Sequence, residues 1–485
     1  MNTNINSDYD RAIVANAIQI LKDHGLYIKS HNLILMGDSY KYSHYLQYPE
    51  NTQYISSYIT SRKGGEKVLF FGLQMFIKKY FLTPITHEDI DEAKEIITTH
   101  GEPFNEDGWR YIVNRHKGFL PIHIQALKEG TFAPMNVPQV QVVNTDPRVP
   151  WLTSFVETML LRAIWYPTSV ATYSWECKQV IKNYLEETAD NLDGLLFKLH
   201  DFGARGASSH ESASIGGAGH LINFMGSDTI EAVVNIRNMY NEPMAAFSIP
   251  AAEHSTITAW GRSREINAYE NMVDKFGGEG KLYAIVSDSY DIYNAAGNIW
   301  AKQLAEKVKN AGGKAVIRPD SGDATIVPIE VMMNLAMGVG YTTNSKGYKM
   351  LPSYFGVIQG DGVNKNSIGE CLENMKKAGW SADNIAFGMG GQLLQKVDRD
   401  LYYYAMKGSA ISYDGKTWEG FAKDPVGDKA KISLAGRHAV IKNGSNLITI
   451  QGHDLNDKIN ELEDVFIDGK LLREQTFTEI RALAN

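Results

Sequence analysis

Residues 195–206 read LLFKLHDFGARG, an apolar run typical of a buried strand that ends in a polar, glycine-rich tip. Seven such tips occur along residues 196–400: Asp201–Gly206, Gly226–Asp228, Pro250–His254, Ser287–Asp291, Arg318–Gly322, Gly360–Gly362 and Gly388–Gly391. In β/α folds, functional groups gather at the carboxyl ends of strands, because the loops there are exposed while the strands that hold them are rigid. The repeated pattern therefore predicts one shared pocket.

The apolar runs before these tips predict the strands of an α/β fold. They are Leu195–Leu199, Leu221–Phe224, Ala245–Ile249, Leu282–Val286, Ala315–Ile317, Phe355–Ile358 and Ile385–Phe387. Helical patterns lie between most of them; one runs from Ile292 to Asn310 and ends at Gly312. Alternation of this length implies parallel strands, so we expect a β/α-barrel-like domain over residues 171–407.

The flanking segments predict a second, α+β domain. Strand-like runs and helical patterns alternate in the N-terminal third, and short strands and turns return near the C-terminus. We therefore assign residues 34–170 and 408–485 to one α+β domain built from both ends of the chain. Residues 1–33 form an N-terminal extension, in which the pattern from Tyr9 to His24 predicts a docked amphipathic helix.

Composition limits the class of protein. The 485-residue chain has a net charge of −8, which argues against sequence-independent binding of nucleic acid, because such binding needs an excess of Lys and Arg. Its two cysteines, Cys177 and Cys371, support neither a disulfide framework nor a cysteine metal site. The N-terminus lacks a signal-peptide pattern, and no run approaches the roughly 18 apolar residues of a membrane helix. We therefore expect a cytoplasmic protein that binds neither nucleic acid nor a membrane.

Three of the tips carry groups that suit phosphates and sugars. The loop Gly388–Gly391 can hold a phosphate through backbone N–H groups, or its glycines can serve close packing; Lys396 and Arg399 downstream favour binding. Arg318-Pro319-Asp320 is either a self-contained ion pair or a cation and a carboxylate that project into the pocket. Asp361 is either a turn residue or a carboxylate that holds ribose hydroxyls. Because seven successive strand ends carry such residues, we favour a shared site.

His254 follows an apolar run and precedes a helix start at Ser255. A lone histidine is more often structural. Near a helix N-terminus at the pocket, however, its imidazole can bind a diphosphate, move protons or accept a phosphoryl group.

Asp201-Phe202-Gly203 matches the magnesium-binding tripeptide of protein kinases, but the other kinase motifs are absent from the sequence, so the kinase hypothesis fails. Phe202 instead offers a flat aromatic face next to Arg205. Asp228 at the next strand end can accept a hydrogen bond from a planar heterocycle. Together the tips predict a pocket for a sugar diphosphate and a small aromatic ring.

Several longer strings resemble the nicotinamide phosphoribosyltransferases. They are Lys198–Gly206, Ile249–Trp260, Ser287–Asn294, Val357–Gly362 and Lys423–Val426, and the resemblance runs from Asp38-Ser39-Tyr40-Lys41 nearly to the C-terminus. It implies a phosphoribosyltransferase barrel that joins nicotinamide to phosphoribosyl pyrophosphate. It also implies Mg²⁺ as cofactor and ATP as activating co-substrate. The chain departs from the family in residues 1–33, which extend ahead of the usual start, and at Met389, where a small residue is usual.

The resemblance further implies roles for individual residues. The pyridine ring would lie between Phe202 and Tyr40 of a partner subunit in a homodimer, and Asp228 would accept the carboxamide N–H. His254, Arg318 and Asp320 would carry catalysis, with His254 phosphorylated by ATP, while the magnesium ligands stay unassigned. The other assignments are Arg205, Ser248, Ser287, Arg318 and Pro319 for the pocket wall, Asp320, Gly360 and Asp361 for ribose, Gly390, Gly391 and Arg399 for the 5′-phosphate, and Arg62, Arg205, His254, Arg318, Arg399, Lys407 and Lys423 for the diphosphate.

Two alternative functions stay open. A nicotinate-specific phosphoribosyltransferase shares the reaction class, but Asp228 would repel the carboxylate of nicotinate. A non-catalytic nucleotide sensor with the same fold is disfavoured by the intact set of His254, Arg318, Asp320 and Arg399.

Overall fold

The computed structural model describes residues 31–427 and 432–485, together with Asn16, Ala17 and Ile20. Apart from those three positions, the helix predicted from Tyr9 to His24 lies outside the described residues. The strands are β1 (Tyr54–Thr60), β2 (Lys67–Leu69), β3 (Ile122–Ala126), β4 (Phe132–Pro134), β5 (Val140–Asn144), β6 (Leu199–Asp201), β7 (Gly226–Ser227), β8 (Leu282–Val286), β9 (Lys314–Arg318), β10 (Thr342–Thr343), β11 (Lys349–Met350), β12 (Phe355–Gln359), β13 (Ile385–Met389), β14 (Ala405–Ser412), β15 (Glu419–Gly420), β16 (His438–Asn443), β17 (Asn446–Gln451), β18 (Glu463–Ile467) and β19 (Lys470–Leu471).

The α-helices are α1 (Leu73–Phe76), α2 (His87–His100), α3 (Glu106–His116), α4 (Leu152–Phe155), α5 (Glu157–Thr188), α6 (His210–His220), α7 (Ile230–Tyr240), α8 (His254–Thr258), α9 (Glu265–Phe276), α10 (Ile292–Asn294), α11 (Ala305–Ala311), α12 (Val327–Val339), α13 (Lys365–Lys377), α14 (Gly391–Leu394) and α15 (Phe477–Ala484). A π-helical segment, Ala295–Leu304, joins α10 to α11, so the helix predicted from Ile292 to Asn310 is confirmed. Gly312 ends it with a φ of +78°, a conformation that favours glycine.

Six parallel strands form the central sheet in the order β7-β6-β13-β12-β9-β8. Its two edges are bridged by one short segment, since Phe247 pairs with Gly226 at one edge and Ala251 pairs with Ala284 at the other. The segment therefore closes the sheet into a barrel-like ring. A large apolar core that includes Leu199, Ile317 and Trp300 packs around these strands. The predicted α/β fold is confirmed.

Four of the seven predicted strands, β8, β9, β12 and β13, are confirmed, and the other three differ. Residues Leu195–Phe197 form a 3₁₀ helix, and strand β6 begins only at Leu199. Leu221–Phe224 follow helix α6 as a buried turn, and Ala245–Ile249 contribute only the bridge at Phe247. Apolar runs report burial, and a buried turn and a buried strand have the same apolar pattern.

The second domain is organised by a seven-stranded sheet in the order β15-β14-β1-β5-β3-β18-β19. Three N-terminal strands, β1, β5 and β3, form its centre, and C-terminal strands flank them on both sides, because β1 pairs antiparallel with β14 and β3 pairs antiparallel with β18. This confirms the α+β domain built from N- and C-terminal segments, while its exact boundaries stay predictions. No helix in the described part of the chain combines the length and the apolar character that crossing a membrane requires.

A buried carboxyl group joins the two domains. Glu129, which is 2% exposed, accepts hydrogen bonds from the Gln74 backbone N–H at 2.7 Å and from the Tyr240 hydroxyl at 2.7 Å. Gln475 near the C-terminus donates to the Glu129 carbonyl oxygen and accepts from its backbone N–H. Tyr240 belongs to the barrel domain and Gln74 to the α+β domain, so Glu129 links the two domains through hydrogen bonds.

Replacing Glu129 by Gln is expected to change how stability depends on pH. Burial raises the pKa of Glu129 above its ordinary value of 4.5, so folding favours the protonated carboxyl. The free energy of unfolding of the wild type should therefore fall, relative to Glu129→Gln, as pH rises through the raised pKa. Urea unfolding at about pH 5 and about pH 8 measures this difference. The exposed Glu50→Gln is the control, and identical pH dependence in all three proteins would contradict the effect.

Candidate active site

The polar tips of the parallel strands lie together at one edge of the sheet. Hydrogen bonds join neighbouring tips: the Phe202 N–H donates to the Met389 carbonyl at 3.0 Å, and the Asp228 N–H donates to the Asp201 carbonyl at 2.9 Å. The Ser287 N–H donates to the Arg318 carbonyl at 2.9 Å. The shared pocket predicted from the sequence therefore has a definite location at the carboxyl ends of these strands.

A cavity of about 410 Å³ opens between Phe202, Asp228 and Arg318. The Arg318 guanidinium lies 5.6 Å from the centroid of the Phe202 ring, and the Ser248 hydroxyl donates to Asp228 Oδ1 at 2.6 Å. The Phe202 ring lies directly against Gly388, where no side chain fits, because a Cβ on Gly388 would lie 1.9 Å from a ring carbon. An aromatic face, a cation and an exposed carboxylate thus surround a space suited to a planar polar ring.

The same cavity extends along one face of the sheet toward the amino ends of the strands. There it is lined by Lys198, Lys314 and Asp383, and the Lys198 ammonium forms an ion pair with Asp383 at 3.0 Å. Burial lowers the pKa of Lys198. No strand-end motif pointed to these residues, because they lie at the opposite ends of the strands.

Arg318 and Asp320 form the charged centre of the site. Arg318 donates to Asp320 Oδ1 through Nε at 3.0 Å and through Nη2 at 2.6 Å. The other oxygen, Asp320 Oδ2, lies 3.4 Å from His254 Nε2, so the ion pair is not self-contained. Gly360 lies against this pair, and a Cβ there would be 2.9 Å from Arg318 Nε. Pro319 is buried between the two charged residues.

His254 contacts two residues that were not chosen as site residues from the sequence. Its Nδ1 lies 3.1 Å from the Ser289 hydroxyl, and its Nε2 lies 3.8 Å from Asp288 Oδ1. The Asp288 side chain is only 4% exposed, and Oδ1 has no hydrogen-bond partner among the described residues. Both residues belong to the tip Ser287–Asp291, so the signal was present, but the sequence does not show which side chain of the tip reaches His254.

A second space of about 600 Å³ lies beside this centre and is lined by Gly360, Asp361, Gly390, Gly391 and Lys396. The loop at Gly206 closes against it, because a Cβ on Gly206 would lie 3.3 Å from the Gly391 backbone nitrogen. Backbone N–H groups can approach a ligand closely where there is no side chain. The arrangement suits a phosphate, with Lys396 as a nearby cation.

Asp201 holds the backbone of the loop Asp201–Gly206 through a buried side-chain hydrogen bond. It is fully buried, and its Oδ1 accepts the Gly203 N–H at 2.7 Å. Burial, with a smaller contribution from the neighbouring Asp228, raises the pKa of Asp201 to about 6. Arg205 is exposed on the following 3₁₀ turn.

Among the described residues, the side chains of Ser287 and Arg399 form no hydrogen bond with those of His254, Arg318 or Asp320. Ser287 is fully buried, and its hydroxyl accepts the Trp300 indole N–H at 3.0 Å while donating to the Ile285 carbonyl. The exposed Arg399 donates to the adjacent Asp400. Ser287 therefore holds the strand end in place behind the pocket.

The remaining predicted residues form a separate basic cluster on the α+β domain. Lys407 lies in β14, and burial, together with the nearby charges of Arg62, Lys423 and Lys41, lowers its pKa. Tyr40 is 54% exposed on a 3₁₀ helix, Ser39–Leu46, that also carries Lys41. Among the described residues, no hydrogen bond or ion pair joins Arg62, Lys407 or Lys423 to the His254 centre. One chain therefore presents the predicted site residues in two groups.

Two family descriptions match the chain. Residues 197–470 match the nicotinate phosphoribosyltransferase (NAPRTase) family, and residues 32–124 match the N-terminal domain of nicotinamide phosphoribosyltransferase. A curated nicotinamide phosphoribosyltransferase of Xanthomonas campestris pv. campestris is 47% identical over 462 residues, which cover 94% of this chain and 98% of the relative. One of Mycoplasma pneumoniae is 32% identical over 86% of this chain and 97% of the relative.

Solved structures agree on the fold. The nicotinate-nucleotide pyrophosphorylase of Pyrococcus furiosus superposes with a TM-score of 0.61 at 15% identity, covering 94% of this chain and 96% of that one. Human nicotinic acid phosphoribosyltransferase superposes with a TM-score of 0.57 at 15% identity, covering 92% of each chain. With the family match and the 47% identity, the chain belongs to the nicotinate phosphoribosyltransferase family and carries the N-terminal domain of its nicotinamide-using members.

Proposed function

We propose that the protein is a nicotinamide phosphoribosyltransferase that acts in NAD salvage. It converts nicotinamide and 5-phosphoribosyl 1-pyrophosphate into nicotinamide mononucleotide and pyrophosphate. The observation that carries the proposal is the exposed Asp228 carboxylate beside Phe202 and Arg318 in the ring-sized cavity. A carboxylate there accepts the carboxamide N–H of nicotinamide and repels the carboxylate of nicotinate.

The reaction needs positioning more than base catalysis. A bond forms from the ring nitrogen to ribose C1′ while the bond from C1′ to the diphosphate oxygen breaks. Because the ring nitrogen of nicotinamide already carries a lone pair, no side chain has to remove a proton from it. Phe202 and Asp228 would orient the ring, Asp320 and Asp361 would hold ribose, and Gly390 and Gly391 would hold the 5′-phosphate.

Cations must meet the negative charge that develops on the departing diphosphate. Asp288 and Asp320 suit a Mg²⁺ ion, since Mg²⁺ takes one or two carboxylates and completes its shell with substrate phosphates and water. Asp288 Oδ1, which is buried and has no hydrogen-bond partner among the described residues, would be such a ligand. When bound, the ion neutralises charge on the leaving diphosphate. Among the described residues no larger group of His, Cys, Asp and Glu side chains could hold a metal.

The separate basic cluster supports a homodimer in which each active site is shared. Arg62, Lys423 and Lys41 lie near Lys407, and Tyr40 is exposed on the 3₁₀ helix that carries Lys41. In the described part of the chain, none of the three cations Arg62, Lys407 and Lys423 bonds to the His254 centre. A second copy of the chain can bring Tyr40 against the open face of Phe202 and its three cations against the diphosphate. This arrangement also offsets the repulsion among those cations.

ATP hydrolysis is coupled to synthesis in this proposal through His254. Its imidazole lies between Asp320, Asp288 and Ser289, which fix its orientation at the diphosphate side of the site. The γ-phosphoryl group passes from ATP to an imidazole nitrogen with release of ADP, and water later removes it as phosphate. Resemblance to the family and this position support the role.

Asp228→Ala is expected to lower kcat/KM for nicotinamide about 10- to 100-fold, because it removes a hydrogen bond to a charged group. The change should appear mainly in KM, and the discrimination against nicotinate should shrink. Steady-state rates with each base and saturating phosphoribosyl pyrophosphate measure both effects. Glu231→Gln, which changes a carboxylate on helix α7, is the control. A wild-type enzyme that prefers nicotinate would overturn the role of Asp228, and one with no turnover would favour a nucleotide sensor.

His254→Ala is expected to abolish the stimulation of synthesis by ATP while leaving KM for nicotinamide close to the wild-type value. The imidazole faces the diphosphate side and makes no contact with the ring pocket residues Phe202 and Asp228. Rates with and without ATP, and acid-labile ³²P incorporation from labelled ATP, provide the measurement. If the variant still incorporates ³²P, ATP phosphorylates a residue other than His254.

Sharing of the site can be tested by complementation. Asp320→Ala removes a site residue of the barrel domain, and Lys407→Ala removes a cation of the basic cluster on the α+β domain. The homodimer of either variant should therefore be inactive. Coexpression should restore about one quarter of wild-type activity, since half of the dimers are mixed and each carries one intact site. Coexpression of Asp320→Ala with Arg318→Ala, both in the barrel, is the control and should stay inactive. Failure of the first pair to recover would mean that each chain builds its own site.

A further inference from the structure

A third cavity, of about 680 Å³, lies wholly in the α+β domain. It is enclosed by the turn between β14 and β15, by the β16–β17 hairpin and by the amide side chains of Gln125 and Gln141. None of its lining residues belongs to the parallel sheet or to the basic cluster around Lys407. Its volume falls within the roughly 300 to 1,000 Å³ typical of small-molecule sites.

The ionisable side chains that line this cavity are all basic. Lys416, Arg437, His438 and His453 line it, and none of its described lining residues is Asp or Glu. Burial lowers the pKa of His438, so that imidazole stays neutral. The fixed positive charge therefore comes from Arg437 and Lys416, in a protein whose net charge is −8.

Arg437 is a partly buried cation that has no counter-ion among the residues the structure describes. Within the described residues its guanidinium forms no ion pair, and its buried Nε has no hydrogen-bond partner. The guanidinium lies 4.9 Å from the centroid of the Trp418 ring, which covers one face. Burial lowers the pKa of Arg437, and no carboxylate in the described part of the chain counters this effect. Buried charges are normally paired, so this arrangement suits an anionic ligand.

The backbone around Arg437 is firmly held. Gly436 adopts a φ of +97°, and a Cβ there would lie 2.1 Å from Gln451 Oε1. The Gly452 N–H donates to the Arg437 carbonyl at 2.8 Å, and the His438 N–H donates to Gln141 Oε1 at 2.9 Å. The backbone that carries Arg437 is therefore fixed before any ligand arrives, which reduces the entropy lost on binding.

We propose that this cavity binds a small phosphorylated anion through Arg437 and Lys416, with Trp418 holding the guanidinium plane. A guanidinium covered on one face still presents N–H groups at its edge, which match the oxygens of a phosphate. The second cation suits a doubly charged phosphate group, and the remaining volume accommodates an organic body such as a nucleoside.

The test uses the full-length protein labelled with 5-fluorotryptophan, in which the Trp418 ¹⁹F resonance is assigned by Trp418→Phe. Inorganic phosphate and AMP are titrated separately, and the Trp418 resonance reports binding at this cavity rather than in the barrel. Saturable shifts are expected in the wild type and in Lys442→Gln, a control that removes a cation from the same hairpin outside the cavity. A shift with AMP alone would assign the site to nucleotides, and one with both to phosphate in general.

Arg437→Gln is expected to weaken binding at least about tenfold, the loss of one hydrogen bond to a charged group. Lys416→Gln, on an exposed turn where folding is not at risk, should weaken it to a smaller extent. Unchanged affinity in both variants, or a Trp418 resonance that does not respond to either anion in the wild type, would overturn the proposal. Synthesis rates should stay at the wild-type value in both variants, which confirms that they fold.

Discussion

Closure of the parallel sheet is the constraint on which the rest of the structure depends. Two bridges, Phe247 to Gly226 and Ala251 to Ala284, hold one short segment between the sheet's edges. The segment carries Ser248, which bonds to Asp228, and it leads directly into His254, which contacts Asp320. An open sheet would separate these groups by its full width. Closure places the ring pocket and the charged centre side by side at the carboxyl ends of the strands.

Two glycines, Gly388 and Gly360, give this pocket its shape by leaving room for side chains to lie against the backbone. The Phe202 ring occupies the space that a side chain on Gly388 would fill, and the Arg318–Asp320 pair lies against Gly360 in the same way. These positions lie in or directly after strands, where glycine has a cost in backbone entropy. Close approach of an aromatic ring and of an ion pair to the backbone accounts for glycine there.

The chain concentrates positive charge locally although it is acidic overall. Lys407 is partly buried beside Arg62, Lys423 and Lys41, and Arg437 is partly buried against Trp418 with no described carboxylate paired to it. Burial lowers the pKa of both cations, and at Lys407 the neighbouring cations also lower it. Such sites are suited to bind anions, because an incoming phosphate restores the balance of charge.

The sequence by itself determined the class of fold, the parallel core strands and the strand-end groups Arg318, Asp320 and His254, because polar tips after apolar runs depend only on local order along the chain. Tertiary structure decided the rest. Whether Leu221–Phe224 formed a strand or a buried turn, and whether Ser287 faced the pocket or Trp300, depended on neighbours far along the chain. The approach of Asp288 to His254 and the separation of Lys407 from the barrel are likewise distances in space. Periodicity reports which residues are buried, but packing alone fixes what each buried or polar group meets.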